Sequence, residues 1–123
     1  MTGPRTIGQH VVPSIIAGAK AASRPAPRII AGFPVVLSNK PDETLEKISE
    51  ILQVYGQLPS YRAMMDREGA ATPGDIALVG DAAALDAAIS QVQEAGATEM
   101  ISVLLETEPG AKDRTMDYLQ SHL

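Results

Sequence analysis

The feature that most constrains the fold is a nearly unbroken apolar run at Arg28–Leu37, RIIAGFPVVL. It is too short and too rich in β-branched residues for a solitary helix, and it ends before the polar pair Ser38 and Asn39. A continuous apolar run of this kind is typical of a parallel strand buried on both faces. Gly32 and Pro34 interrupt the run and indicate a bulge or a strand end, which either faces a ligand or is a simple irregularity.

Helical signals alternate with this strand and with a second apolar run at Thr98–Leu105. Helices are expected at 6–22 (kinked at Pro13), 41–55, 59–68, 82–95 and 111–122, with a short capped turn at 72–75. In the last helix, Met116 and Leu119 are expected to face inward. The alternation of helices with strands predicts an α/β class with a parallel sheet.

Length and composition limit the chemistry that the chain can perform. The 123 residues suffice for one modest domain, and 45% apolar with 20% charged residues is a globular composition. The absence of cysteine excludes disulfides, thiolate metal sites and cysteine nucleophiles, and fits a reducing, cytoplasmic location. His10 and His122 stand alone without a metal-ligand pattern, so no metal site is predicted.

Charge is unevenly distributed along the chain. Residues 1–41 hold five bases and no acid, whereas residues 42–123 hold all 15 acids, and the net charge is −5. The asymmetry reflects either chance with acidic helix starts, or an N-terminal segment suited to a phosphate or carboxylate tail. An acidic chain with 3% aromatic residues argues against a nucleic-acid partner. No apolar run approaches the roughly 20 residues that a membrane span needs, so no membrane partner is expected.

Two stretches of the sequence are more distinctive than a general pattern of helices and strands. VYGQLPSYRAMMDREG at Val54–Gly69, together with the earlier TIGQHVVPSI that begins at Thr6, resembles the C-terminal part of the luciferase-like flavin and deazaflavin oxidoreductases. The similarity is greatest to the actinobacterial branch that uses coenzyme F420. It extends from Thr2 to about Thr98, and Gly80-Asp81 also matches the family pattern.

The resemblance implies a fold that is larger than this chain. The family fold is a (β/α)₈ TIM barrel, which needs roughly 200 residues or more. Residues 1–123 are therefore expected to form a single partial-barrel domain, the C-terminal portion of such a barrel, with about two to three parallel strands and flanking helices. The chain is expected to be either a fragment or a truncated relative. Its exposed strand edge should drive homo-oligomerisation or pairing with the missing N-terminal barrel half.

The resemblance also implies where ligands would contact the chain. Thr2 and Gly3 would lie at a strand mouth and contact the cofactor, coenzyme F420 or alternatively FMN. Tyr61, Arg62 and Met65 would wall a substrate pocket or a subunit interface, unless they are ordinary core and solvated residues. No catalytic residue is carried over, because the groups that clamp the ring in the family lie mostly on earlier strands.

The function implied by the resemblance is hydride transfer between a deazaflavin and a small organic substrate. The isolated chain is expected to be inactive or weakly active. Two alternatives stay open: a non-catalytic small α/β interaction domain, and a fragment of an FMN-dependent monooxygenase.

Overall fold

The apolar run at the centre of the sequence forms the central strand of a three-stranded parallel sheet. The computed structural model describes residues 1–123. The strands are β1 (Ile30–Leu37), β2 (Leu78–Gly80) and β3 (Glu99–Leu104), in the order β2-β1-β3. Both pairings of β1 are parallel, so the predicted α/β class with parallel strands is confirmed.

The helices follow the expected positions with small changes at their ends. They are α1 (Pro4–Thr6), a π-helical turn (Ile7–Val11), α2 (Val12–Ala21), α3 (Pro41–Ile51), α4 (Pro59–Glu68), α5 (Ala82–Glu94) and α6 (Ala111–Gln120), with 3₁₀ turns at Tyr55–Gln57 and Pro73–Ile76. The Asp81 side chain accepts a hydrogen bond of 2.9 Å from the Ala84 amide and caps α5, as predicted. Gly69 ends α4 in the left-handed conformation at φ 75°.

The kink predicted at Pro13 takes the form of a π-helical turn. The chain stays helical from Pro4 to Ala21, with the wider turn at Ile7–Val11 directly before the proline-containing segment. Proline has no backbone N–H to donate to the preceding turn, and a π-helical turn is one way in which a helix accommodates the missing hydrogen bond.

The strand β2 was not predicted, and it changes the topology of the sheet. It is only three residues long, too short to show a periodic pattern. In a (β/α)₈ barrel, strands that follow one another in sequence lie side by side. Here β1 lies between β2 and β3, the order of a small open α/β sheet.

The two faces of the sheet are covered to different extents. Odd-numbered β1 residues form the packed face, where Phe33 and Val35 are 0% exposed and contact a core that includes Leu85 of α5. On the opposite face, only the carboxyl end is covered, where Val36 packs against Ile48 of α3. The remainder of that side is here called the open face and consists of Ile30, Gly32, Ile101 and Val103.

The orientation predicted for α6 is wrong in part. Met116 is 44% exposed, whereas Ala111, Thr115 and Tyr118 are the buried residues of this helix. The Thr115 hydroxyl accepts a hydrogen bond of 3.0 Å from the Leu37 amide at the end of β1. This contact turns the Thr115 side of α6 towards the sheet and Met116 towards solvent. Leu119 is half-buried against the core, as expected.

Candidate functional site

A small apolar groove adjoins the open face. Its volume is about 200 Å³. Gly32, Phe33 and Pro34 of β1 form its base, because the sheet is uncovered there. The residues that line it are Met1, Gly32, Phe33, Pro34, Leu52, Tyr55, Tyr61 and Val103, and this set is called the tyrosine groove below.

Two aromatic rings shape the tyrosine groove. The Tyr55 and Tyr61 rings lie edge to face, with centroids 4.9 Å apart and an interplanar angle of 64°. Such a pair contributes about 0.5–1.5 kcal/mol beyond the burial of its area. Tyr61 belongs to α4, which is anchored because Met64 and Met65 of the same helix are buried in the core. A Cβ placed on Gly32 would meet no atom within 4 Å, so the base of the groove is open.

Of the three residues predicted to wall a pocket or interface, only Tyr61 lines the groove. Arg62 is exposed and its Nε lies 3.6 Å from the Asp66 carboxylate, one helical turn away. Met65 is 1% exposed and belongs to the hydrophobic core. The i, i+4 spacing correctly puts Tyr61 and Met65 on one side of α4, but the side chains face different surroundings.

The residues predicted to contact a cofactor meet a side chain of the chain itself. Thr2 is half-buried and Gly3 is buried. The Glu68 carboxylate accepts hydrogen bonds from the amides of Arg5 and Thr6, at 3.3 and 2.5 Å. A Cβ on Gly3 would overlap that carboxyl group, so any larger residue at this position would displace the Glu68 side chain.

The amides at the start of α1 are therefore occupied internally. A cavity of about 290 Å³ lies beside Gly3, and its charged lining residues are the acids Glu68 and Asp75. Asp75 also accepts hydrogen bonds from the amides of Ala71 and Thr72, at 3.0 and 2.8 Å. Two carboxylates without a lining cation disfavour a phosphate or carboxylate tail at this cavity.

Sequence reasoning missed a larger cavity of about 480 Å³ at the carboxyl ends of the strands. A signal was available, since polar residues follow β1 and β2 and ligands of open α/β sheets bind at this edge. Its charged side chains are nevertheless paired. Arg114 lies 2.5 Å from Glu108, Lys40 lies 3.6 Å from Glu43, and Asp81 caps α5. The cavity therefore presents no unpaired charge to a ligand.

Nearby, Glu106 stabilises the start of α6. Its carboxylate accepts hydrogen bonds from the amides of Lys112 and Gly110, at 2.9 and 2.8 Å. These bonds, with that from Lys112 dominant, lower the pKa of Glu106 below its ordinary value. Glu106 is consequently a capping group and not an acid or base available for catalysis.

A hydrogen-bonded cluster between α5 and α6 was also missed. The Tyr118 hydroxyl donates to the Asp86 carboxylate at 2.5 Å, and the His122 Nε2 lies 3.0 Å from the same oxygen. Burial raises the pKa of Tyr118 well above its ordinary value, and the bond to Asp86 raises it further. None of these three residues lines the cavities described above, so the role of the cluster is to link α5 to α6.

The tyrosine groove is thus the concavity suited to an apolar ligand. Apart from the phenols of Tyr55 and Tyr61 it contains no acidic or basic side chain, so it is suited to bind a flat or apolar group. No group of histidine, cysteine, aspartate or glutamate side chains is arranged to hold a metal ion.

No family model, curated protein or solved structure matches this chain. The helices of the structure are all too short or too polar to cross a membrane. The resemblance to the luciferase-like oxidoreductases accordingly stays a prediction.

Proposed function

We propose that the chain is the C-terminal part of a luciferase-like, coenzyme F420-dependent oxidoreductase, and that it contributes the tyrosine groove as one wall of the ligand site. The observation that supports this most directly is a contact between the two stretches that carry the resemblance. Glu68, at the end of VYGQLPSYRAMMDREG, binds the amide of Thr6, the first residue of TIGQHVVPSI. Ile7 belongs to the same core cluster as Met64 and Met65. Residues 62 positions apart therefore act as one structural unit.

The groove does not fit a whole deazaflavin coenzyme. Ligand pockets usually measure about 300–1,000 Å³, whereas the groove measures about 200 Å³. No lysine, arginine or histidine side chain lines it, and the amides of Arg5 and Thr6 are taken by Glu68, so neither the groove nor the start of α1 is suited to an anionic tail. The deazaflavin carries the hydride chemistry in enzymes of this kind. The part proposed for this chain is limited to packing an apolar wall against a ring or a substrate.

A second candidate function belongs to a different class. A non-catalytic α/β interaction domain is favoured by the strand order β2-β1-β3, which differs from the sequential order of a barrel. It is also favoured by the open face, where Ile101 is 58% exposed. Contiguous exposed apolar surface marks sites of association.

Coenzyme binding separates the two candidates. The purified chain is sized by light scattering and titrated with coenzyme F420 and, separately, with FMN, with fluorescence as the readout. The oxidoreductase proposal expects weak saturable binding of one of them and no turnover of reduced coenzyme. Absence of binding by the folded chain would contradict the proposal and favour the interaction domain, and robust turnover would contradict the limited part assigned to this chain.

A variant that fills the tyrosine groove shows whether the coenzyme binds there. Gly32→Val adds a side chain where there is open space and should abolish the fluorescence change without unfolding the chain. Ala87→Val is the control, because Ala87 is exposed on α5 and lines none of the cavities described above. Binding that survives Gly32→Val would place the ligand elsewhere.

A further inference from the structure

Two apolar surfaces of the chain have no partner. The first is α2, VPSIIAGAKA, in which no residue is buried and Ile15 and Ile16 are 36% and 41% exposed. The second is the open face, where Ile30, Ile101 and Val103 are 52%, 58% and 47% exposed. A helix with one apolar side and a bare strip of sheet are complementary elements, because helices normally cover both faces of a parallel sheet.

The total surface is larger than a monomer of this size normally has. The accessible area is 7352 Å² for a chain of 12.9 kDa. Folded monomers of that mass expose about 6,300 Å². The difference of roughly 1,000 Å² is close to the ~800 Å² that each partner contributes to a standard protein interface. The chain therefore exposes about one interface more than a monomer requires.

The chain itself supplies both complementary surfaces, so a second copy is the partner that they fit. The segment 1–41, which contains α2, carries five bases and no acid, and residues 42–123 carry 15 acids and five bases. Within α2 itself the only charged residue is Lys20. The open face carries no charged residue, and Arg28 and Lys40 of the basic segment are paired within their own copy, so burial of apolar surface drives the contact.

Within one copy, α2 does not cover the open face. The start of α2 lies against the end of α5, where Val12 is the nearest neighbour of Gly96, and α5 belongs to the packed face. Beyond α2, residues 22–29 form a connector with two prolines that lies at the surface up to Arg28. The Arg28 guanidinium is paired with Glu99, which fixes the end of this connector at the start of β3. α2 therefore projects away from the sheet of its own copy.

We propose that two copies of the chain associate by placing α2 of each on the open face of the other. The interface is isologous, since each copy supplies one helix and one sheet face. Ile15 and Ile16 of one copy cover Ile30 and Ile101 of its partner, on the part of the open face that lies outside the tyrosine groove. This inference does not rest on the proposed oxidoreductase relationship, because it uses only the exposed surfaces and the excess area.

Complementary charge variants test this pairing by sedimentation equilibrium across a range of concentrations. The wild-type chain is expected to have about twice the mass of 12.9 kDa. Ile16→Glu and Ile101→Lys each place a charge in both copies of the contact, and each variant alone should be monomeric. A mixture of the two should dimerise again, because the heterodimer keeps one unaltered contact and gains an ion pair in the other. Met116→Lys is the control, since Met116 is 44% exposed on α6 and should leave the dimer intact.

Three results would overturn the proposal. A wild-type chain that is monomeric or forms polydisperse aggregates has no such dimer. A dimer that persists in both variants uses another surface. Folded variants that do not recombine on mixing show that α2 and the open face are not partners. Circular dichroism of each variant establishes that it is folded, which is expected because both substituted residues are exposed.

Discussion

The two faces of strand β1 have similar composition and different surroundings. On the packed face, Phe33 and Val35 are fully buried. On the open face, Ile30 is 52% exposed although it belongs to the same apolar run. The β3 residues repeat the contrast, since half-buried Met100 and Leu104 alternate with exposed Ile101 and Val103.

The difference arises from where the helices stop. α3 ends at Ile51 and covers only the carboxyl end of this side of the sheet, where Ile48 packs against Val36. The chain then turns at Tyr55–Gln57 into α4, which packs against α1 instead of extending across the sheet. The packed face therefore supplies the stability of a single copy, and the open face is available for association.

The largest effect is expected on the packed face. Phe33→Ala should lower the free energy of unfolding by about 3–5 kcal/mol, because it removes a buried ring and leaves a cavity. Urea denaturation at protein concentrations too low for association measures the change. Since small domains are stable by only about 5–15 kcal/mol, the variant should be close to unfolding.

A matched pair of valine substitutions tests whether the two faces of the sheet contribute differently to stability. Val35→Ala on the packed face should cost about 2 kcal/mol, and Val103→Ala on the open face less than about 0.5 kcal/mol. Val35 is 0% exposed and Val103 is 47% exposed. Equal losses at the two positions would show that the faces do not differ as described.

Tyr118→Phe should have an intermediate effect on the free energy of unfolding. It removes the hydrogen bond from the Tyr118 hydroxyl to the Asp86 carboxylate, which joins α6 to α5. The loss should be about 1.5 kcal/mol at neutral pH. The raised pKa of Tyr118 means that the folded chain keeps the phenol proton above pH ~10, where the unfolded chain loses it. The stability contributed by this group is therefore present below pH ~10 and falls as the pH rises further.

Urea denaturation of the wild type and Tyr118→Phe at pH 8 and at pH 11 measures this dependence. The difference in unfolding free energy between the two proteins should be smaller at the higher pH. A difference that is the same at both values would mean that Tyr118 does not titrate differently in the folded chain.

A smaller effect than that of Tyr118→Phe is expected at the contact that joins α1 to α4. Gly3→Ala should displace the Glu68 carboxylate, and Glu68→Ala should remove it, each at a cost of about 1 kcal/mol. Because both changes break the same contact, the double variant should cost about as much as either single change. Costs that add in a double-mutant cycle would show that Gly3 and Glu68 act independently.

Local chemistry made much of the fold predictable. The strands at Ile30–Leu37 and Glu99–Leu104 are continuous apolar runs, and α5 is delimited by an aspartate cap at Asp81 and by Gly96 at φ 102°. Each of these signals lies within a few residues of the element that it defines. These elements could therefore be predicted from local sequence, without knowledge of the rest of the molecule.

The candidate site was less predictable. Tyr61 lines a groove, but its role in a substrate pocket or interface stays a prediction. Tyr55 and Gly32 were not expected to share this groove, because they come from different elements. Thr2 and Gly3 were expected to contact an external ligand, and the structure places the Glu68 carboxyl group against Gly3. A contact between residues more than 60 positions apart has no signature in local spacing.

The sequence by itself determined the α/β class, the positions of the main helices and two of the three strands, because apolar periodicity and capping act over one or two turns. Only the tertiary structure decided that β1 lies between β2 and β3, that Met65 is core while Tyr61 reaches a groove, and that α2 and half of one sheet face remain uncovered. These outcomes depend on which elements meet across long chain separations, and that choice is made by the packing of whole faces.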